Sequence, residues 1–242
     1  MITTKAIGRI TNKIADAEKL VIRGFHEKAI ETEPSFTDRL LGAIEMAFGE
    51  NGFESDGYRI RVRTLRDRGK GAPEHEFGAD FVSVLDINIP NYSLSKGFLV
   101  QAKIAGKEEF QISGQGNYPL QIRLPEKEKS RLTIQCEQML SISPDSYIFV
   151  YSQNGIYVVP ATTAVNIVSD GTPRKIYAKT LKQFYKDHMM SFIGDRKIDA
   201  YDDETLRSRR DIVFANSGML IQIRNENPPK EKPSMFSFIE LD

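Results

Sequence analysis

The fold prediction depends mainly on the segment GADFVSVLDINIPNYSLSKGFLVQAKI, residues 78–104. It contains two runs rich in β-branched and aromatic residues, FVSVLDINI (81–89) and GFLVQAKI (97–104). A turn region separates them: Pro90 and Asn91 follow the first run, and Gly97 opens the second. The segment therefore predicts two strands with a short connection, and a short connection favours antiparallel pairing.

Upstream of this segment the sequence predicts two helices and a strand. Apolar residues recur at helical spacing over residues 11–30, and a second helix follows Pro34, where Ser35 and Asp38 fit a capping box. The stretch YRIRVRTL (58–65) alternates strictly, which predicts a strand with apolar residues on one face and arginines on the other.

Downstream of the segment, residues 106–124 are predicted to form a loop and residues 125–142 a helix. The runs SYIFVYS (146–152) and GIYVVPA (155–161) are predicted to pair across the Asn-Gly turn between them. Two more helices and a strand are predicted at 180–193, 203–215 and 218–224.

The order helix, strand, strand, strand, helix, strand over residues 35–152 predicts an α/β fold. We expect a three-layer α/β/α core with a mixed central sheet and a C-terminal α+β elaboration. The predicted divisions are an N-terminal helical segment (1–32), a core (33–161) and an elaboration packed on that core (162–242).

The composition excludes several classes of site. The 242 residues carry 33 basic and 33 acidic side chains, so any nucleic-acid binding must depend on local patches. One cysteine rules out an internal disulfide and a Cys-based zinc or iron–sulfur site, and the three histidines form no HExxH motif. No window approaches eighteen apolar residues, so we expect no membrane span and a cytoplasmic protein.

Three residues of the quoted segment form a chemical constellation. Asp80 begins the first strand, and Gln101 and Lys103 leave the second strand on the same face. Cleavage of a phosphodiester is promoted by a divalent cation with oxygen ligands and by a nearby ammonium group. Magnesium retains several waters, so it needs only two or three protein oxygens. These can come from the Asp80 carboxylate, the Gln101 amide and the Ala102 carbonyl.

A second carboxylate is needed because glutamine carries no charge. Glu33, at the start of the second helix, is the first choice, and Glu76 and Glu45 are the alternatives. Acidic residues also collect at helix N-termini to complement the helix dipole, so Glu33 has a structural explanation as well.

These positions resemble the restriction-endonuclease-like, or PD-(D/E)XK, nuclease superfamily, in the branches with Gln in the final motif. The resemblance covers residues 33 to about 152; Ala79 stands where the motif has proline. It implies a nuclease that uses Mg²⁺ (or Mn²⁺), acts on DNA in restriction or anti-phage defence, and works as a homodimer or with a partner subunit. It also implies that Gln138, or Gln135, on the following helix supports the metal ligands.

The basic residues of the 58–70 region are the candidates for phosphate contacts. Arg61 and Arg63 lie on the polar face of their strand, and Arg66 follows in the loop with further cations. A solvated sheet face is the alternative interpretation.

Two structural interpretations compete with the nuclease hypothesis. Asp80 alone is typical of a turn cap, and Lys103 is typical of a charge that protects an edge strand. At the level of the whole protein, the alternative is a catalytically weak or inactive module that keeps the nuclease scaffold and binds nucleic acid or protein. A ribonuclease is a further alternative within the enzymatic class.

Overall fold

The computed structural model describes residues 2–27, 30–65, 79–106, 109–112, 119–125 and 130–226. The helices in these ranges are α1 (Thr4–His26), α2 (Glu33–Phe48), α3 (Arg131–Ile142), α4 (Ala161–Asn166), α5 (Leu181–Met189) and α6 (Asp203–Ile212). The strands are β1 (Phe53–Ser55), β2 (Tyr58–Leu65), β3 (Phe81–Ile89), β4 (Tyr92–Ile104), β5 (Phe110–Ile112), β6 (Leu120–Ile122), β7 (Ser146–Ser152), β8 (Gly155–Pro160), β9 (Arg174–Ile176), β10 (Lys179–Thr180) and β11 (Ser217–Asn225).

Eight strands form one mixed sheet in the order β1-β2-β11-β3-β4-β7-β8-β10, and β5, β6 and β9 form a small second sheet. The pairs β3–β4 and β7–β8 are antiparallel, as predicted, while β4–β7 and β11–β3 are parallel. Helix α3 makes the crossover from β4 to β7. The predicted α/β fold with a mixed sheet is therefore confirmed.

Helices cover both faces of the large sheet. One apolar cluster joins α1, α2 and α5 to the sheet and includes Ile10, Leu40 and Phe184; we call this side the α1 face. The other joins α3, α4, α6 and the small sheet and includes Leu132 and Leu206; we call this side the α3 face. The molecule thus has the three layers that the sequence predicts.

The alternation of β4 divides its residues between these two faces. Phe98, Val100 and Ala102 belong to the cluster on the α1 face, whereas Leu99 belongs to the cluster on the α3 face. Gln101 and Lys103 follow Leu99 at steps of two residues, so they also lie on the α3 face. The structure thus agrees with the prediction that the side chains of Gln101 and Lys103 lie on one face of the strand.

Strand β11 lies between β2 and β3, in the middle of the sheet. It comes from the range 162–242 that the sequence suggested as an elaboration. Its start is joined to the start of β3, because Asn216 N donates to the Ala79 carbonyl and Ser217 N donates to the Asp80 carbonyl, both at 3.1 Å. The C-terminal region therefore supplies a central strand and supports the backbone of Asp80.

Three helices start at positions that differ from the predicted ones, and in each a threonine or serine hydroxyl caps the first turn. The N-cap of α2 is Thr32 and not Ser35, whose N–H instead donates to Thr32 Oγ1 at 3.3 Å. Helix α1 begins at Thr4 because the Thr3 side chain accepts from Ala6 N. Helix α3 begins at Arg131, after the Ser130 cap, and not at residue 125.

The expected loop at 106–124 contains two short strands, β5 and β6, whose apolar residues pack on the α3 face. The glycine and proline content of that stretch concealed them. Among the described residues, no helix combines the length and apolar character needed to cross a bilayer.

Gly97 is required where the segment before α6 crosses β4. Its N–H donates to the Asp195 carbonyl at 3.0 Å, and Asp195 N donates back to Gly97 at 2.8 Å. A Cβ at this position would lie 2.6 Å from Ile198 Cγ2 and 2.7 Å from the Ser83 carbonyl oxygen. Since backbone atoms on both sides leave no room, only glycine fits here.

We therefore predict that Gly97→Ala lowers the free energy of unfolding by roughly 1–3 kcal/mol, measured by urea denaturation. Gly8→Ala is the matched control, because nothing lies within 4 Å of an added Cβ there and Gly8 is inside α1. The control should be neutral or stabilising by up to about 1 kcal/mol. Equal effects of the two substitutions would contradict the close approach at Gly97.

Candidate active site

The structure brings Asp80 next to Gln101 and Ala102. Because β3 and β4 are antiparallel, the start of β3 lies beside the C-terminal end of β4. The backbone confirms this, since Asp80 N donates to the Val100 carbonyl at 2.7 Å. The juxtaposition that the sequence predicts across two strands is therefore present.

One oxygen of Asp80 accepts two short hydrogen bonds. Gln101 Nε2 and the backbone N–H of Ala102 each donate to Asp80 Oδ2 at 2.6 Å. Oδ1 takes part in neither bond. The carboxylate is thus fixed by β4 while one of its oxygens remains available to a ligand.

Burial raises the pKa of Asp80 to about 6. The Ala102 N–H bond, the charge of Lys103 and the Gln101 bond act in the opposite direction, and the charge of Glu33 adds to the rise. The ionised carboxylate is therefore less stable here than in water, and a nearby cation would relieve that penalty.

The amide oxygen of Gln101 is buried without a hydrogen-bond partner in the described part of the chain. A buried acceptor that lacks a donor is unfavourable by about 1–3 kcal/mol, so such an atom requires an explanation. Since Gln101 Nε2 is held by Asp80, Oε1 is left as a free ligand oxygen. This is the arrangement expected of an oxygen that binds a cation.

Ala102 offers a third oxygen at the same place. Its N–H points toward the β3 side of β4, where it meets Asp80 Oδ2. The N–H and C=O of one residue in a strand face the same neighbour, and the pairing of β4 with β3 ends at Val100. The Ala102 carbonyl therefore faces the open side of the strand next to Asp80.

Glu33 reaches the site from the first position of α2. Its Oε1 accepts from the N–H of Ile104 at 3.1 Å, and its Oε2 lies 3.9 Å from Lys103 Nζ. The Thr32 cap sets the start of the helix and so aims Glu33 at the end of β4. Of Glu33 and Glu45, the two candidate second acids that the structure describes, Glu33 is the one with a hydrogen bond to β4.

The other two candidates have different positions. Glu45 accepts from the N–H and the hydroxyl of Thr64 at 3.3 and 2.5 Å, so it covers the free side of β2. This engagement gives Glu45 a structural role away from Asp80. Glu76 lies outside the described residues.

Lys103 is a buried lysine, with 6% of the residue exposed. Its charge acts on the Cys136 thiol, whose pKa burial raises to about 12, and Glu109 and Glu137 add to that rise while Lys103 opposes it. Lys103 therefore lies between Glu33 and the buried side of α3. Such a position is not that of an edge-strand charge, which would be exposed to solvent.

Glu109 is a carboxylate of this neighbourhood that the sequence did not single out. It acts on the same thiol as Lys103, and it follows the end of β4 by five residues. Its segment was predicted to be a loop, and no motif spacing marks it. Its place near the Cys136 thiol could be found only from the folded chain.

The two glutamines of α3 also carry buried oxygens. Gln135 Oε1 and Gln138 Oε1 have no hydrogen-bond partner among the described residues. With Gln101 Oε1, three amide acceptors on the α3 face thus lack donors. Buried acceptors of this kind suit a site that takes up water or an ion.

The structure places Arg61 and Arg63 at a distance from Asp80. Both are exposed on β2. They lie on the α3 face, because Ile60 before Arg61 and Val62 before Arg63 are buried on the α1 face. The registers of β2, β11 and β3 align Arg63 with Val84 and Arg61 with Asp86. They therefore lie about 13 and 20 Å along the strands from Asp80. Arg66 lies outside the described residues.

The donor set of this site fits a hard cation. In the described ranges there is no group of three or more His, Cys, Asp or Glu residues that could hold a metal. Magnesium does not need one, since two or three protein oxygens and several waters satisfy it. Asp80, Gln101, Ala102 and Glu33 provide oxygens of the required kind.

Comparisons of the chain with protein-family models, with curated proteins and with solved structures found no match. The functional interpretation therefore depends on the geometry of the site.

The raised pKa of Asp80 makes a prediction about stability. A carboxyl group whose pKa is higher in the folded state than the usual 3.8 destabilises the fold above that folded pKa, because ionisation is easier in the unfolded chain. Without metal, Asp80→Asn should raise the free energy of unfolding at pH 8 by roughly 1–3 kcal/mol. The gain should shrink as the pH falls from 6 toward 4, measured by urea denaturation in EDTA.

Asp16→Asn is the control, since Asp16 is exposed and forms a surface ion pair with Lys19 at 2.8 Å. It should change stability by no more than about 0.5 kcal/mol. A marked loss of stability in Asp80→Asn at pH 8 would show that the charge holds the fold together and would contradict the prediction.

Proposed function

We propose that this protein is a metal-dependent nuclease of the restriction-endonuclease-like class that hydrolyses phosphodiester bonds in DNA. The observation that carries the proposal is the convergence of Asp80, Gln101, Lys103 and Glu33 at one end of the central sheet. The unpartnered oxygen of Gln101 adds support, because it is the atom that a cation ligand would require.

Asp80, Gln101, the Ala102 carbonyl and Glu33 would hold Mg²⁺ or Mn²⁺. When bound, such an ion neutralises charge on the phosphate and increases the acidity of a coordinated water. The bond from Ala102 N keeps Asp80 Oδ2 in place, so that Oδ1 can act as the ligand atom.

Lys103 supplies a positive charge at the site in addition to that of the metal ion. Its burial next to Glu33 lowers the polarity around it, which would strengthen its interaction with negative charge that develops on the phosphate. At 3.9 Å the contact with Glu33 is a loose ion pair, so the three N–H donors of the ammonium are not all committed to that carboxylate. Lys103 would orient the attacking water and donate to the scissile phosphate.

The choice of DNA over RNA, and a role in restriction or anti-phage defence, follow from the superfamily resemblance. We also place the protein in the cytoplasm, where a single buried cysteine remains reduced. A homodimer or a partner subunit would allow both strands of a duplex to be cut.

A second candidate function is favoured by one observation. The 2.6 Å bond from Gln101 to Asp80 satisfies part of the carboxylate without any cation. A site closed on itself in this manner suits a module that keeps the scaffold and binds nucleic acid or protein without cleaving it. The following experiments distinguish the two functions.

Lys103→Met should reduce cleavage of plasmid or oligonucleotide DNA in Mg²⁺ by at least about 100-fold, because the buried positive charge is lost. The methionine retains the apolar stem, and circular dichroism checks that the variant folds. Lys96→Met is the matched control: Lys96 is also buried on β4, but on the α1 face and seven residues away. The control should keep its activity, and wild-type cleavage should stop in EDTA.

The absence of cleavage by the wild type in Mg²⁺ and Mn²⁺, on single- and double-stranded DNA, would favour the binding module. Cleavage of RNA but not of DNA would make the protein a ribonuclease and would still support the proposed site. Equal loss in Lys103→Met and Lys96→Met would contradict the role given to Lys103.

Gln101→Glu tests whether the glutamine is a metal ligand. The substitution replaces a donor to Asp80 by a second carboxylate at hydrogen-bond distance, so the metal-free protein should melt at a lower temperature. The melting temperature should then rise more on addition of Mg²⁺ than it does in the wild type, because a cation relieves the repulsion. An unchanged response to Mg²⁺ would contradict a cation site at Gln101.

A further inference from the structure

A polar cavity of about 330 Å³ lies on β2 and β11, away from the candidate active site. Its walls are formed by side chains of the two paired strands: Arg59, Arg61, Gln222, Arg224, Asn225 and Glu226. Three guanidinium groups therefore surround one small volume.

The strand register sets these cations against each other. Arg59 is directly opposite Arg224, and Arg61 is directly opposite Gln222. Like charges at directly opposed positions destabilise a sheet, so this pairing is unfavourable in the absence of a counter-charge.

Two of the three arginines are held in place by acidic residues. Arg59 Nη2 donates to Glu54 at 2.7 Å, and Arg224 donates both to the Asp86 side chain and to the Asp86 carbonyl. These ion pairs fix the orientation of the guanidinium groups. A ligand would therefore meet donors that are already positioned.

Arg61 lies two residues along β2 from Arg59 and diagonally across from Arg224, and it has no ion pair in the part of the chain that the structure describes. Its side chain is exposed on the α3 face. The planar guanidinium presents donors that match two oxygens of a phosphate group. Gln222, opposite Arg61, already donates to the Tyr201 carbonyl at 2.6 Å, which fixes the neutral wall of the cavity.

The cavity is a separate site and not part of the Asp80 cluster. Arg61 is aligned with Asp86, six residues along β3 from Asp80, which corresponds to about 20 Å. Both places lie on the α3 face. Binding here therefore does not require the metal ligands or Lys103.

We propose that this cavity binds a phosphate group, carried by a nucleotide or by a nucleic-acid strand, with Arg61 as its anchor. The chemistry is the same for either source, because both present phosphate oxygens to fixed guanidinium donors. A free nucleotide would act as an effector at a distance from the cleavage site. A strand would extend the contacts of the substrate along the sheet, and only that source depends on the proposed nuclease function.

The test measures binding to the intact protein in EDTA and low salt, so that cleavage plays no part. The probes are inorganic phosphate and a nucleoside 5′-monophosphate by calorimetry, and a labelled single-stranded DNA of about twelve nucleotides by fluorescence anisotropy. Arg61→Gln should weaken binding at least about tenfold, as expected for a lost charged hydrogen bond. Arg23→Gln is the control, since it removes one exposed charge from α1 on the other face and should change binding by less than twofold.

The probe that binds identifies the source. Binding of the mononucleotide indicates an effector site, and binding of the oligonucleotide alone indicates a strand. The proposal is overturned if no probe binds the wild type at millimolar concentration, or if Arg61→Gln and Arg23→Gln have equal effects. Because no metal is present, either result is independent of whether the protein cleaves DNA.

Discussion

A single carboxylate oxygen joins the two strands on which the candidate site is built. Asp80 Oδ2 accepts from the backbone of Ala102 and from the side chain of Gln101, beyond the last paired residues of β3 and β4. The bonds replace the ladder that ends there and hold the strand ends together. Because this contact holds Gln101 Nε2, the Gln101 amide oxygen is left for a ligand. The end of the ladder leaves the Ala102 carbonyl free of β3, and the alternation of β4 puts Lys103 on the same face as Gln101.

Burial, which this contact offsets only in part, makes the site electrostatically unfavourable without a ligand. A half-buried carboxylate with a raised pKa, a buried ammonium and a buried acceptor without a donor among the described residues lie at one end of the sheet. Each is more common at functional sites than in cores formed only for stability. Glu33 balances part of the charge, yet its distance from Lys103 leaves the ammonium only partly satisfied.

The sequence predicted local elements well because alternation and capping are local properties. β2 and β3 have the predicted bounds, and the side-chain alternation of β4 correctly gave Gln101 and Lys103 one face. The order of the strands in the sheet could not be predicted from such patterns. The apolar sequence of β11 does not specify which strands it pairs with. The arginines of β2 illustrate the same limit: alternation gave their face, but only the register showed how far along the sheet they lie from Asp80. Glu109 belongs to no motif, so its place beside the Cys136 thiol could not be predicted from spacing.

The position of β11 has a consequence for how the molecule is made. Until residues 217–225 have left the ribosome, β2 and β3 each present an open edge, and the large sheet exists only as separate halves. The nascent chain must keep those edges from pairing with other chains, a hazard that grows with the time needed to synthesise the intervening residues. Since Asn216 and Ser217 also secure the backbone at Ala79 and Asp80, the candidate site reaches its geometry only after β11 has paired with β3, late in the synthesis of the chain.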